Sequence, residues 1–254
     1  MAKRQSSAIR PPPDGNAPAN LLLAALPDAD YQQLQPHLRT ISVKPKETVQ
    51  LANEPLEYVY FPNGGVFSIT TVLPDGTMVE AATVGAEGML GIEAFLGPNA
   101  IAPGQTLLQV PGTDPETEAV QLRVEAFRDA CAERGALYEV MGRYAQSIIA
   151  QMMQTTACNA LHPVHERCAR WLLTTHDRML LQDFHLSHEF LAVMLGVQRP
   201  TVSVVAGTLQ AKGLISYTHG HVRVLDRKGL ESASCGCYAI IRRHFDAMNV
   251  RAGV

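Results

Sequence analysis

Six residues in one short stretch, Gln198, Arg199, Thr201, Ser203, Val204 and Thr208, could read a polyanion. An arginine fork there can contact guanine O6 and N7 together or grip a phosphate, and a valine can meet a thymine methyl. Thr201 and Ser203 can donate to phosphates or base edges. The same residues would also suit a merely solvated helix face. What favours the first reading is the spacing of the whole segment rather than any one residue, with Val202, Val205 and Leu209 supplying an inward stripe at helical spacing.

The stretch 186–215 reads as two short helices around a tight turn. Ser187 suits the N-cap of the first helix and is also a candidate contact. Leu191, Met194 and Leu195 give that helix an apolar face, and Ala192 is small where the second helix must approach. Gly196 sits where a positive φ is expected. Val197 plugs the core after the turn, and Pro200 falls in the first turn of the second helix, where a missing N–H costs little. Gly213 ends that helix. Residues 215–225 then read as a β-hairpin turning at His219–Gly220, and His219, His221 and Arg223 could lie against a phosphate backbone. Ordinary exposed loop residues would explain those histidines equally well. Together these features describe a helix-turn-helix followed by a wing.

The preceding elements must hold this unit. Short β-rich runs at 58–61, 66–72, 78–82, 106–110 and 120–124 alternate with Gly- and Pro-containing turns, which predicts a β-sandwich or small barrel. Leu73-Pro74-Asp75-Gly76-Thr77 has the chemistry of a hairpin turn. Residues 136–160 contain no Pro, and Gly142 is their one glycine. Met141, Ala145, Ile148, Met152, Thr155 and Asn159 recur at spacings of four and three, so two such helices could pair along them. A helix packed on its own barrel would show the same stripe. Pro163 breaks the chain, and a further helix is expected from about Val164 to Arg178.

Charge divides the chain in two. Residues 1–159 hold 10 Lys/Arg and 17 Asp/Glu, a net of −7, whereas residues 160–254 hold 11 and 7, a net of +4. Only the second part is suited to a polyanion. The basic, Pro-rich beginning lacks the apolar run of a signal peptide, and no stretch reaches about 20 apolar residues. We read residues 1–19 as a disordered leader, with a cytoplasmic location and no membrane partner. The cysteines, 131, 158, 168, 235 and 237, are odd in number and are expected to be free thiols. Cys235-Gly236-Cys237, with no second cysteine pair in the sequence, is a weak metal signal, and no metal is expected. A helix in the tail is expected to dock on the winged domain.

From residue 20 onward the chain resembles the Crp/Fnr family of bacterial transcription regulators. Gly196, Arg199, Thr201 and Val202 fall on the family's Gly-x-x-Arg-x-Thr-Val signature, and Leu209, Leu214 and Ile215 on the ending that follows it. LHPVHERCARWLL is similar to the family's dimerisation-helix end and the helix after it. The resemblance implies an α+β fold: a cupin-like β-roll sensor domain over 20–135, a dimerisation helix over 136–160, a winged helix-turn-helix over 161–230 and a helical tail over 231–254. It also implies a homodimer on near-palindromic double-stranded DNA, with RNA polymerase as a candidate partner. Pro200 and Val204 depart from the polar residues that many members use to read bases.

Cyclic-nucleotide-binding members hold the phosphate with a Gly-Glu pair and a later arginine. Here Gly91 is followed by Ile92, Glu93 comes one place late, and no arginine lies between Arg39 and Arg123. A cyclic phosphate without a cation would be poorly compensated, so cyclic nucleotide binding is not expected. Iron–sulfur members need cysteines near the N-terminus, where this chain has none. Haem, which needs a single axial His or Cys, stays compatible with the sequence. No resident cofactor is expected. A metal cupin needs several barrel histidines, and His37 is alone between residues 20 and 160. No nucleophile-elbow, P-loop or dinucleotide fingerprint occurs, so the chain does not read as an enzyme. A protein-binding sensor with a helix-turn-helix that does not read DNA is the competing class.

Overall fold

The computed structural model describes residues 18–112, 117–179 and 183–249. The leader expected over 1–19 lies outside the described residues as far as residue 17. The fold is α+β, with a β-rich N-terminal part and a C-terminal helix-turn-helix.

Two short helices, α1 (Leu21–Ala24) and α2 (Asp28–Leu34), lead into the roll. Asn20 caps α1 by accepting from the Leu22 and Leu23 N–H groups, and its amide donates to the carbonyls of Pro62 and Gly88. That one side chain pins the entering chain to the roll. The strands are β1 (Arg39–Val43), β2 (Thr48–Gln50), β3 (Tyr58–Pro62), β4 (Val66–Val72), β5 (Met78–Val84), β6 (Gln105–Val110) and β7 (Thr117–Arg123), with α3 (Glu93–Leu96) between β5 and β6. They form two antiparallel sheets, β1-β7-β3 and β2-β6-β4-β5. The β4–β5 turn closes as its sequence requires: Gly76 takes φ 83°, and Asp75 accepts from the Thr77 N–H at 2.9 Å.

Strand β4 explains how the two halves of the chain meet. Side chains alternate faces along a strand. Phe67 and Ile69 belong to the roll's core, whereas Val66 packs into the core of the C-terminal domain. Ser68 and Thr70, on the same face as Val66, are fully buried. The four-stranded sheet is therefore covered on both sides, by the roll and by the C-terminal domain.

Helix α4 (Val124–Ala132) follows the roll, and α5 (Ala136–Leu161) is the long central helix. Its sequence-predicted pairing stripe faces inward. Met141, Ala145 and Ile148 are buried in the roll's core, and Met152 packs against it. Thr155 is buried and Asn159 half-buried. Met141, Ala145, Ile148 and Thr155 are thus committed to contacts within the chain, which corrects the pairing stripe. A stripe of four–three spacing reports one apolar face but not what covers it.

The C-terminal domain comprises α6 (Val164–Arg178), β8 (Asp183–His185), α7 (His188–Leu195), α8 (Arg199–Ala211), β9 (Ile215–Thr218), β10 (His221–Val224) and α9 (Arg227–Ala233). The wing has a third strand that the sequence reading lacks: β8 pairs with β10 in the order β8-β10-β9. Three residues are too few to display a period. The final helix, α10 (Cys237–Asn249), also corrects an expectation. Ile241, Phe245 and Met248 enter the roll's core alongside α5, while Tyr238 joins the winged domain's core. The stripe 241–245–248 is one helix face long enough to lie along α5.

Candidate nucleic-acid interface

Helices α7 and α8 are bent by 104° across the turn between them. Ser187 caps α7, its hydroxyl accepting from the Phe190 N–H at 3.2 Å. Gly196 takes φ 62° and ψ 41°, the left-handed conformation expected of it, and ends α7. Pro200 sits in the first turn of α8. Leu191, Ala192, Met194, Leu195, Val202, Val205 and Leu209 are buried together around Trp171 and Leu172 of α6. This locally encoded packing aims the other face of α8 outward.

That face is open. Gln198, Arg199, Pro200, Ser203, Val204 and Thr208 are exposed, Thr201 is half-buried, and Val204 is 70% exposed. Arg199 pairs with Glu189 of α7 at 2.6 Å, yet both side chains keep 63% of their surface in water. Ser203 lies 3.0 Å from His188 Nδ1 and donates to the Arg199 carbonyl. Thr208 donates to the Val204 carbonyl, one turn back. No acidic residue occupies the first turn of α8, so its N-terminal dipole is left free to face an anion. On the wing, His219 (φ 50°) and Gly220 (φ 79°) make the two-residue turn joining β9 to β10. Two consecutive positive φ values are the signature of the tight hairpin turn whose twist matches the strands. His219, His221 and Arg223 are exposed, and Arg223 meets Asp183 of β8 at 3.4 Å. The structure therefore brings the helix and wing residues onto the surface of one small domain.

A second site, invisible in the sequence, joins this domain to the roll. Arg178, at the end of α6, meets Glu87 at 2.6 Å with only 5% and 3% of the two side chains exposed. Its guanidinium also donates to Thr83 Oγ1 and to Gln151 Oε1 of α5. Beside it, Glu80 of β5 accepts from Trp171 Nε1 at 3.0 Å and from Ser68 Oγ at 2.7 Å. Burial pushes the Glu80 carboxyl up to about 7, although Ser68, Trp171, Arg170 and Arg178 all favour its charged form. Glutamates of the β5 region are thereby tied to α6 of the winged domain. Sequence periodicity cannot report this contact, because an arginine at a helix end reads as a solvated terminus.

The comparisons bear on the same elements. The family model of the Crp-like helix-turn-helix domain matches residues 166–233, from α6 through the wing to α9. That stretch of the chain is similar to the Crp-like helix-turn-helix domain. The transcriptional regulator LdrP of Thermus thermophilus is 28% identical over 197 residues, covering 73% of this chain and 92% of LdrP. Among solved structures, FixK2 from Bradyrhizobium japonicum superposes with a TM-score of 0.67 at 18% identity, covering 78% of this chain and 98% of FixK2. A Crp/Fnr-family transcriptional regulator from Thermus thermophilus gives 0.59 at 20% identity, covering 77% and 98%. At such identities the structural likeness shows the fold. The resemblance throughout is to regulators rather than to enzymes. Among the described residues, no single helix is long and apolar enough to cross a membrane.

Proposed function

We propose that this Crp/Fnr-type transcription regulator binds near-palindromic double-stranded DNA as a homodimer in the cytoplasm, with α8 in the major groove. The observation that carries the reading is the exposed polar face of α8, held outward by the buried Val202–Val205–Leu209 stripe. Arg199 is the base reader. Gln198, Thr201, Ser203 and Thr208 take phosphates or base edges, Val204 takes a thymine methyl, and Pro200 sets the helix start. Ser187, His219, His221 and Arg223 steady the flanking backbone. Glu189 holds the Arg199 fork in the absence of DNA and is displaced when a guanine or phosphate takes its place.

Pairing is best supported on the outward face of α5. Gly142, Gln146, Ile149, Met153, Thr156 and Ala160 recur at spacings of four and three. Ile149 is 45% and Met153 70% exposed. A seam of that spacing suits a parallel helix pair. Met153→Glu is expected to shift the protein from dimer to monomer in sedimentation velocity, with a folded circular-dichroism spectrum retained. Cyclic nucleotide is not the favoured effector, since Gly91, Ile92 and Glu93 supply no cation near the expected phosphate position. The signal instead acts through the Glu80–Trp171 and Glu87–Arg178 contacts, shifting the populations of two dimer states. RNA polymerase is the partner that the bound dimer would present itself to.

A titration of the full chain with duplexes from its own promoter region tests the function. A regulator shows one preferred sequence and an affinity that falls steeply with salt. Equal, weak binding to every duplex favours a protein-binding sensor and overturns the proposal.

A further inference from the structure

Four soft or borderline ligand side chains, distant in sequence, converge where α5 ends and α10 begins. Cys158 and His162 lie one turn apart at the end of α5, with the His162 N–H bonded to the Cys158 carbonyl at 3.0 Å. Cys235 lies in the turn after α9, and Cys237 is the first residue of α10. Cys158 Sγ is 3.5 Å from Cys235 Sγ, and Cys237 Sγ is 3.4 Å from His162 Nδ1. All four ligand atoms fall within 4.8 Å of one another. The three cysteines are buried together as a small cluster of their own, and His162 is half-buried.

We propose that Cys158, His162, Cys235 and Cys237 form a structural zinc site of the Cys₃His type. A tetrahedral zinc ion with Zn–S near 2.3 Å and Zn–N near 2.0–2.1 Å places neighbouring ligand atoms about 3.5–3.8 Å apart. The Cys158–Cys235 and Cys237–His162 separations match that edge closely, and every other pair of ligand atoms lies within 4.8 Å. Three thiolates and an imidazole select zinc over magnesium or calcium, which prefer oxygen. All four positions come from the protein, so the ion is structural and leaves no open site for catalysis. The Gln154 amide donates to Cys237 Sγ at 3.0 Å, which tempers thiolate charge and fixes that ligand's orientation. The thiols that ionise on binding release their protons to solvent. The ion would clasp the end of the central helix to the start of α10, whose Ile241, Phe245 and Met248 then lie along α5. The Cys-x-Cys pair does have its partners, but they are 77 and 75 residues away in the chain.

The test uses the full chain purified under reducing conditions from zinc-supplemented cells. Elemental analysis is expected to find about one zinc per chain. Cobalt(II) in place of zinc is expected to give a thiolate-to-cobalt charge-transfer band and intense tetrahedral ligand-field bands. Cys235→Ser with Cys237→Ser is expected to abolish both signals, whereas Cys131→Ser keeps both, and His162→Cys retains zinc through a Cys₄ set. Should the double variant fail to fold, the wild-type cobalt spectrum decides, together with a lowered melting temperature on chelation. Absence of metal from the protein so purified overturns the site. So does metal content that survives the double variant, or a Cys158–Cys235 disulfide in protein isolated without oxygen.

Discussion

Two arginine–glutamate pairs in this chain have the same 2.6 Å contact and opposite surroundings. Arg199 and Glu189, on the two helices of the helix-turn-helix, are each 63% exposed. Arg178 and Glu87, between the winged domain and the roll, are 5% and 3% exposed. Water screens the first pair and leaves it worth little, so it can be exchanged for a phosphate or a guanine at small cost. The second pair lies in a medium where either partner alone would be an uncompensated buried charge. An exposed pair of this kind is cheap to exchange, whereas a buried one holds two bodies in one arrangement.

The largest expected effect breaks the buried pair. Arg178→Ala strands Glu87 and removes the bonds to Thr83 and Gln151, and it should destabilise the protein by about 3–5 kcal/mol in urea unfolding. A loss below about 1 kcal/mol would place this pair with the exposed one. Next comes Arg199→Ala, which should leave stability nearly unchanged while weakening specific DNA binding by about 1–3 kcal/mol, read by fluorescence anisotropy. Unchanged affinity and preference would show that Arg199 does not read bases.

Glu80 offers a pH test of the same seam. Its folded carboxyl titrates near 7, above the usual 4.5, so the folded state binds more protons between those values. Its contribution is fully present below about 4.5 and is lost as pH rises through about 7. Glu80→Gln should remove that slope. The difference in unfolding free energy between Glu80→Gln and wild type should grow in favour of the variant from pH 5 to pH 8. A pH-independent difference would show that Glu80 is charged throughout. Taking the difference cancels His176 and His188, whose imidazoles are pushed down mainly by burial and slope the opposite way. The smallest effect is Glu189→Gln, which should change stability by less than about 1 kcal/mol and tighten DNA binding slightly by freeing Arg199. Weaker binding would mean that Glu189 orients the fork rather than competing for it.

The helix-turn-helix was legible because each of its requirements is local. Ser187 caps, Gly196 turns left-handed and Pro200 starts a helix within one short segment, each for a reason set by its own backbone. Helix α6 likewise runs from Val164 to Arg178, as its flanking Pro163 and apolar spacing predict. The central helix was legible as a helix but not in orientation. Met141 and Ile149 are both apolar, and nothing in their spacing says that the first meets the roll while the second faces water. The tail helix packs on the roll rather than on the winged domain, and its sequence could not say so for the same reason: an apolar stripe names no partner.

The sequence by itself determined the winged helix-turn-helix, the β-rich roll and the long helix between them, since propensity, capping and turn chemistry act over a few residues. Tertiary structure alone decided which side of α5 is spent on the roll, that Arg178 and Glu87 seal the two domains, and that Cys158 and His162 stand beside Cys235 and Cys237. Those contacts join residues 75–91 positions apart, except for the covering of α5 by its neighbours. No local preference encodes such meetings, and they arise only when burial of the whole chain brings them about.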